Sequence, residues 1–481
     1  MDNKTNNTNF NSSQKLFSFF FPFRGKCPKD DRGGRLGGAF SFGGFRGLGF
    51  GFLFLLLLVS PLSAQNLWTL EQCVDTALAN NRNVKQQDLS RQSKEIAYNQ
   101  ARQNLLPNLN ASAGQNYSFG RSLNNDNVYE SANSSQTTFS LSANLTLFDG
   151  LRLKNNIDLQ RTEMYASEAD LEKIKSDIVM SVTTAFLQVL MNKEMLQTAE
   201  EQLLLTQARI KQQKSLVENG KLAEGELYEL LAQEAKEELN RIQAENSLKL
   251  SLLDLAQILE LEDFRNLDVS TPDNLNVDDL ALLSDELIFQ NALISRPEIK
   301  GAEYRMKMSE KNVSIVRAGY SPTLSLGSSL GTAYRDIQGF SLNPFSDQLS
   351  DNMSTSIGLN LSIPIFNRFS VRNNVKNAQL NVENSKLVLE NTKLELRKTI
   401  QQAHQNALAA KSRWSAAGKS EKAAQEAYRF VNQKHEAGRA TQYELFQAKN
   451  NLAQVLSEQT QAKFEYIFRV KILEILNGKM N

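Results

Sequence analysis

Few side chains in this sequence have the types and spacing that catalysis requires. The chain has 481 residues but only two histidines, His404 and His435. Two histidines are too few for a histidine-based metal cage, and no GxxxxGK[ST] loop is present to hold a nucleotide phosphate. The sequence therefore argues against an enzyme, a resident metal and a bound cofactor.

Two short turns are more informative. Gly220 and Gly438 each follow a long segment without helix breakers, and each suits the left-handed conformation that ends a helix. After the second glycine, Thr441 and Glu444 have the spacing of a capping box, which begins the next helix. Two ordinary helix-turn-helix connections are a sufficient explanation of these local signals.

Very long helices must position the turns. Between 151 and 218 there is neither Gly nor Pro, and between 359 and 417 the only breaker is Pro364. We predict helices at about 151–217 and about 371–435, each roughly 90 to 100 Å long at about 1.5 Å per residue. In both helices small or apolar residues recur at alternating steps of four and three, which is the spacing of a coiled-coil seam. They include Ile178, Val182, Val189 and Leu203 in the first helix, and Ile400, Ala403, Ala407 and Ala410 in the second.

Four other segments alternate apolar and polar residues, the period of a strand with two different faces. In the clearest, Phe139, Leu141 and Leu145 alternate with serine, threonine and asparagine. Their lengths suit tilted strands that cross a bilayer. The predicted strands lie at about 109–120, 137–148, 323–334 and 355–366.

The elements recur in the same order about 215 residues apart, which indicates an internal duplication. Each half reads helix, strand, loop, strand, long helix, tight turn, helix. The recurring pairs are LLPNLNAS (105–112) with YSPTLSLG (320–327), LFDGLRLKNN (147–156) with IFNRFSVRNN (365–374), and ENGKLAEGELYEL (218–230) with EAGRATQYELFQA (436–448). The predicted domains are a first repeat at 65–261, a linker at 262–279 and a second repeat at 280–481.

The first 64 residues differ in composition from the rest and contain ten of the 24 glycines and 12 of the 26 phenylalanines. An apolar run from Phe50 to Val59 follows several basic residues and precedes Ser63 and Ala64. Since a bilayer-spanning helix needs roughly 20 residues, we predict a signal peptide with an N-terminal extension, cleaved after Ala64. The remainder has 46 basic and 50 acidic residues, which argues against a nucleic-acid partner. It retains Cys73 alone, so no intramolecular disulfide is expected.

Four strands cannot close a barrel alone. An open sheet edge in lipid leaves unpaired backbone groups that cost several kcal/mol each. Other chains must therefore supply the missing pairing. Three copies would provide twelve strands, enough to enclose an aqueous lumen.

Together, the duplication, the paired strands, the unbroken helices and the two glycine turns resemble the TolC family of trimeric outer-membrane efflux proteins, from Leu67 to Gly478. The resemblance implies an α+β membrane protein whose protomer contributes four strands to a trimeric 12-stranded barrel and long coiled-coil helices to a periplasmic tunnel. It further implies a homotrimer in the cell outer membrane that serves tripartite efflux or type I secretion as a passive conduit. Its implied partners are a periplasmic adaptor (membrane fusion) protein, an inner-membrane pump and outer-membrane lipid. Drugs, bile-like amphiphiles, metal ions and unfolded proteins remain open as cargo.

The same resemblance places the two turns at the periplasmic tip. Glu226 and Glu444, six residues after each glycine, then correspond to entrance carboxylates that attract cations. A solvated charge on a helix face is the alternative for each. A second acidic position common in the family is Glu229 in the first half but Gln447 in the second. The implied adaptor-docking residues are Gly220 and Lys221 in the first turn, and Gly438, Arg439, Ala440 and Thr441 in the second.

Two other classes of function stay open at this point. One is an exported coiled-coil scaffold or adhesin without channel activity, and insertion into lipid would separate it from a channel. The other is a hydrolase on a helical frame, which the sequence disfavours because no nucleophile and base converge.

Overall fold

The computed structural model describes residues 67–123, 128–220, 223–271, 282–339 and 341–478. The predicted signal peptide with its extension, Lys221 and the part of the predicted linker after 271 lie outside these ranges. The helices in the described residues are α1 (Leu70–Asn80), α2 (Arg82–Gln103), α3 (Arg152–Glu218), α4 (Glu224–Ile258), α5 (Asp285–Ser295), α6 (Pro297–Arg317), α7 (Phe345–Asp351), α8 (Ser370–Glu436) and α9 (Gln442–Leu476). The strands are β1 (Leu67–Trp68), β2 (Asn108–Ser118), β3 (Arg121–Leu123), β4 (Tyr129–Ser131), β5 (Ser134–Phe148), β6 (Asp268–Val269), β7 (Thr323–Ile337) and β8 (Ser354–Ser362).

The four long strands form one antiparallel sheet in the order β2-β5-β7-β8. Residues directly opposite one another share a face, so Ala111, Leu141 and Leu330 lie in one row across the sheet. This apolar face is exposed, as the 74% exposure of Ile357 illustrates. The other face carries hydroxyl pairs, with 2.7 Å between the Oγ atoms of Ser112 and Ser140. The sheet thus has an uncovered apolar face and a polar face.

Three of the four long strands differ clearly in length from the sequence prediction, one being shorter and two longer. The fourth strand, expected to reach 366, ends at Ser362 because Pro364 has no N–H to donate to a ladder. The two central strands are longer than predicted, since Ser134 pairs with Ile337 beyond the ends expected for both. The two repeats therefore join through the middle of the sheet, and β2 and β8 form its outer edges.

The two long helices, α3 and α8, have 67 residues each. The seam residues Val182, Val189, Ile400 and Ala407 are fully buried, as a coiled-coil packing face requires. One apolar cluster joins α1, α3, α4 and α9, and a second joins α5, α6, α8 and α9. Both lie in the middle of the helical region, away from the sheet and from the turns.

A short parallel pairing strengthens this middle region. Trp68 in β1 lies opposite Val269 in β6, and Val269 is fully buried. The segment predicted as a linker therefore begins inside the packed fold. Cys73 is also fully buried beside it, and burial raises the pKa of its thiol to about 12. The thiol consequently stays protonated and behaves as a small apolar side chain.

Each strand-to-helix elbow contains two consecutive left-handed residues. In the first elbow these are Gly150 and Leu151, with φ of 70° and 67°, and in the second they are Arg368 and Phe369, with φ of 53° and 61°. Glycine is required at 150, because a Cβ there would lie 2.5 Å from the Cβ of Ser321. The first elbow connects Phe148 of β5 to Arg152 of α3, and the second connects Ser362 of β8 to Ser370 of α8. In both, the left-handed pair comes directly before the helix.

Candidate functional site

The candidate site is the pair of turns at the far ends of α3 and α8. Gly438 has φ of 69° and donates its backbone N–H to His435 O at 2.9 Å. The next N–H, of Arg439, donates to Lys434 O at 2.8 Å. These two bonds are the Schellman pattern that ends a helix and satisfies its last carbonyls. Gly438 thus provides the left-handed residue that ends α8.

The capping box after this turn is present. Thr441 Oγ1 accepts the backbone N–H of Glu444 at 3.2 Å, and Glu444 Oε2 accepts the N–H of Thr441 at 2.8 Å. These bonds to Thr441 hold the pKa of the Glu444 carboxyl below its usual range. Because the folded-state pKa is lowered, the cap is at full strength above the ordinary glutamate pKa and weakens as pH falls through the lowered value. Glu444 is therefore both an exposed charge and a capping residue.

A histidine closes the same turn. His435 Nδ1 lies 3.1 Å from the carbonyl oxygen of Ala440. Since a carbonyl can only accept, the proton of this bond must be on Nδ1. The bond spans the turn from the last residues of α8 to the residue before Thr441, and it leaves Arg439 exposed.

The first turn is less firmly capped. Gly220 has φ of 67° and donates its N–H to Val217 O at 2.9 Å, as in the second turn. At the start of α4, however, the capping position is Ala223, which has no side-chain bond to offer. Glu226 lies three residues later in the first helical turn and is half-buried. The two predicted entrance glutamates therefore occupy matching places, and only Glu444 is engaged in a cap.

Polar contacts hold the two hairpins side by side near the turns. Arg209 in α3 donates from Nη2 to Tyr428 Oη at 2.7 Å and to Asn432 Oδ1 at 2.8 Å in α8. Gln233 in α4 donates to Asn450 Oδ1 in α9 at 3.0 Å. These bonds couple the first repeat to the second close to the tip.

A buried ion pair lies at the centre of this contact. Lys449 Nζ donates to Glu237 Oε1 at 2.9 Å and also to Thr206 Oγ1, and the lysine and glutamate side chains are only 5% and 7% exposed. Burial lowers the pKa of Lys449, while the bond to Glu237 opposes that effect. The pair borders a cavity of about 620 Å³ between α3, α4 and α9. It joins three helices from both repeats.

Sequence reasoning missed this pair, although one signal was available. Gln442, Leu445 and Lys449 have the i, i+3, i+7 spacing of one helix face, and all three are buried. A lysine in a buried stripe requires a partner, but its partner 212 positions away in the chain could not be found from spacing alone.

No cluster of three or more His, Cys, Asp or Glu side chains that could hold a metal ion occurs in the described ranges. The described tip consists of helix-ending turns, helix caps and charged side chains.

The fold and the site are those of a duplicated helical hairpin protein with a shared sheet, and comparisons with known proteins identify the family. The family model "Outer membrane efflux protein" matches residues 73–260 and 288–470. The chain belongs to this family. The two matches fall on the two repeats, and they confirm the predicted family, the duplicated fold class and the outer-membrane location.

Individual relatives are distant. Toxin and drug export protein A of Aggregatibacter actinomycetemcomitans is 25% identical over 323 residues, 64% of this chain and 64% of that protein's own length. Outer membrane protein TolC of Salmonella enteritidis is 22% identical over 446 residues, 89% of this chain and 86% of that protein. The solved Campylobacter jejuni CmeC outer membrane channel has the same fold, with a TM-score of 0.70 at 18% identity over 85% of this chain and 86% of that one.

Removal of one partner of the buried ion pair tests its role. In Lys449→Met, Glu237 is left buried without a countercharge, and we expect the free energy of unfolding to fall by about 3–5 kcal/mol. In the double variant Lys449→Met/Glu237→Leu, no charge is buried, and we expect most of that stability to return. Both effects are measured as shifts of the denaturant midpoint.

The exposed pair Arg429 and Glu426, with 2.6 Å between its charged atoms, supplies the matched control. Arg429→Met should change the unfolding free energy by less than about 1 kcal/mol. A double variant as unstable as Lys449→Met would contradict the account, because the loss would then come from packing rather than from an uncompensated charge.

Proposed function

We propose that three copies of this chain close their sheets into one barrel and form a passive outer-membrane channel for efflux or secretion. The observation that carries the proposal is the sheet itself, with an exposed apolar face, a polar face and outer edges at β2 and β8. Such a sheet suits lipid only when its edges are paired. Three sheets of four strands give twelve, which leaves room for a lumen.

The polar face supports a conduit of low selectivity. Strands β2, β5 and β8 contain no Asp, Glu, His, Lys or Arg, and β7 has none of these before Arg335. Serine, threonine and asparagine line this face, as the hydroxyl pair of Ser329 and Ser356 shows. An uncharged hydroxyl lining offers no strong site that would retain a solute. The choice of cargo then falls to the pump, and the toxins and drugs named for one relative are one class it could pass.

The tip provides the charge that the barrel lacks. Glu226 and Glu444 lie in the first turns of α4 and α9, so a trimer would bring six carboxylates to the periplasmic entrance. A ring of carboxylates in a narrow mouth attracts cations and repels anions. The energy for transport comes from a pump, and the chain itself performs no catalysis in this proposal.

The exposed turns suit an adaptor protein. Arg439 is exposed at the second turn, and Tyr443 and Tyr228 are 69% and 67% exposed close to the two turns. Exposed tyrosines beside an arginine are typical of protein-protein contacts. We propose that a periplasmic adaptor binds here and connects the channel to an inner-membrane pump. Gly220, Gly438, Ala440 and Thr441 shape this surface, and Lys221 belongs to the same proposed surface.

Single-channel recording in planar bilayers tests the conduit and its entrance. We expect the wild-type protein to form channels that prefer cations, because the entrance carboxylates raise the local cation concentration. Glu226→Gln/Glu444→Gln should lower the cation-to-anion permeability ratio several-fold. Glutamine also fills the capping-box position, so the double variant removes charge while keeping the helix start.

Glu426→Gln, an exposed change on α8, is the matched control and should leave the ratio unchanged. Failure of purified protein to form channels in any bilayer would contradict the conduit and favour a scaffold. Channels with unchanged selectivity in the double variant would contradict the entrance role alone.

In-cell cross-linking tests the docking surface. A cysteine at Arg439 in a Cys73→Ser background should capture a periplasmic adaptor, since the side chain is exposed at the tip. A cysteine at Lys411, an exposed position within α8, is the control and should capture far less adaptor. Equal capture at both positions, or capture of this chain alone, would refute docking at the turn.

A further inference from the structure

The region where the strands meet the helices carries an unusual set of charges. Four segments converge there, at 102–106, 149–154, 317–321 and 365–372. Within these described segments there are six basic side chains, all exposed, and one acidic side chain. We name the six the basic belt, and they are Arg102, Arg152, Lys154, Arg317, Arg368 and Arg372.

The single acidic residue does not neutralise the belt at its surface. Asp149 is only 5% exposed, and its Oδ2 accepts the backbone N–H of Leu153 at 3.0 Å. Arg152 lies 3.4 Å from the same carboxylate. Most of the belt is therefore positive charge that is exposed in the single chain. The residues after 64, by contrast, are acidic overall, with 46 basic and 50 acidic residues.

The four segments are close together in space. A Cβ at Gly150 would lie 2.5 Å from the Cβ of Ser321, and a Cβ at Gly319 would lie 3.1 Å from Cγ2 of Val371. The first elbow thus packs on the 317–321 segment, which packs on the second elbow. The 102–106 segment lies beside the start of α3, where Arg102 and Leu106 line one pocket with Ile157. The six basic side chains thus lie around one end of the sheet.

Large apolar side chains occupy the same surface. Ile365 is 95% exposed, Phe366 is 72% exposed, and the ring of Phe369 lies edge-on to Phe366 at 5.7 Å. The guanidinium of Arg372 lies 4.4 Å from the centre of the Phe369 ring. A surface that exposes both large apolar groups and arginines suits a partner that is apolar and anionic at once.

The backbone at Arg368 and Phe369 is strained. Arg368 occupies the place that Gly150 has in the first repeat, and both are left-handed. Glycine would adopt this conformation without strain, whereas arginine and the following Phe369 do so unfavourably. Strained non-glycine positions of this kind often occur at functional sites, and this supports a role for the Arg368 side chain.

We propose that the basic belt binds the phosphate groups of anionic phospholipids in the periplasm-facing leaflet of the membrane. The inference rests on the proposed function, since it requires the sheet to lie in the bilayer with the belt at its helical end. Guanidinium groups bind phosphate oxygens in a bidentate manner, and aromatic side chains favour the boundary between hydrocarbon and head groups. The apolar face of the sheet ends at this level, so the belt meets the head groups.

The test titrates purified full-length protein in an uncharged detergent with dioctanoyl phosphatidylglycerol or dioctanoyl phosphatidylcholine, and counts bound lipids by native mass spectrometry. We expect wild-type protein to prefer phosphatidylglycerol. Arg368→Asn/Arg372→Gln should weaken phosphatidylglycerol binding about 25-fold, roughly fivefold for each arginine, and leave phosphatidylcholine binding unchanged. Asparagine tolerates the left-handed conformation, so the variant should fold at least as well.

Lys411→Gln/Lys419→Gln removes the same number of charges from exposed positions within α8 and should not alter lipid preference. Inorganic phosphate at matched ionic strength should not displace the lipid. Equal affinity of wild-type protein for the two lipids, or equal loss in both double variants, would overturn the inference. The inference would also be overturned if Arg368→Asn/Arg372→Gln kept the lipid preference but no longer bound isolated cell-wall sacculi. The belt would then bind an anionic cell-wall polymer instead of lipid.

Channel recording separates this result from the proposed function. Wild-type channels in bilayers, combined with no preference for phosphatidylglycerol, would overturn the lipid site and leave the conduit in place. Absence of channels in every lipid would remove the conduit and with it the premise of the belt.

Discussion

Backbone hydrogen bonding at the sheet edges is the constraint on which the rest of this structure depends. Strands β2 and β8 are the outer edges of a sheet whose apolar face is exposed. In lipid, unpaired backbone groups cost several kcal/mol each, so one chain cannot be the complete membrane unit. In the proposed trimer, the helices must accommodate the symmetry that the closed sheet imposes.

The helical region meets this requirement with two kinds of packing. Near the middle, fully buried residues such as Val182 and Ile400 provide apolar coiled-coil seams. Near the tip, the contacts between repeats become polar, with Arg209 bound to Tyr428 and Lys449 bound to Glu237. Polar contacts specify partners and register more strictly than apolar ones, while they contribute less net stability. An apolar middle and a polar tip are consistent with the proposed conduit, in which the far end binds an adaptor.

The sequence predicted those features that depend on local pattern. The near absence of Gly and Pro predicted α3 and α8, and the alternation of apolar and polar residues predicted the four long strands. The spacing of Thr441 and Glu444 predicted the capping box that the structure contains. Local pattern failed where distant residues decide the outcome. The extra length of β5 and β7 comes from their pairing with each other, and the buried Lys449 depends on Glu237, more than 200 positions away. The left-handed Arg368 and Phe369 were equally invisible, because their conformation follows from the packed elbow.

Cysteine cross-linking between the two outer strands tests the trimeric channel most directly. In a Cys73→Ser background, a cysteine at Ala113 on β2 is combined in turn with one at Ile357, Leu359 or Leu361 on the same face of β8, and a short bifunctional reagent is added to membranes. If three sheets close a ring, at least one pair gives covalent dimers and trimers and no larger species. A ladder that stops at the dimer, continues beyond the trimer, or never forms at any pair would contradict the trimeric channel.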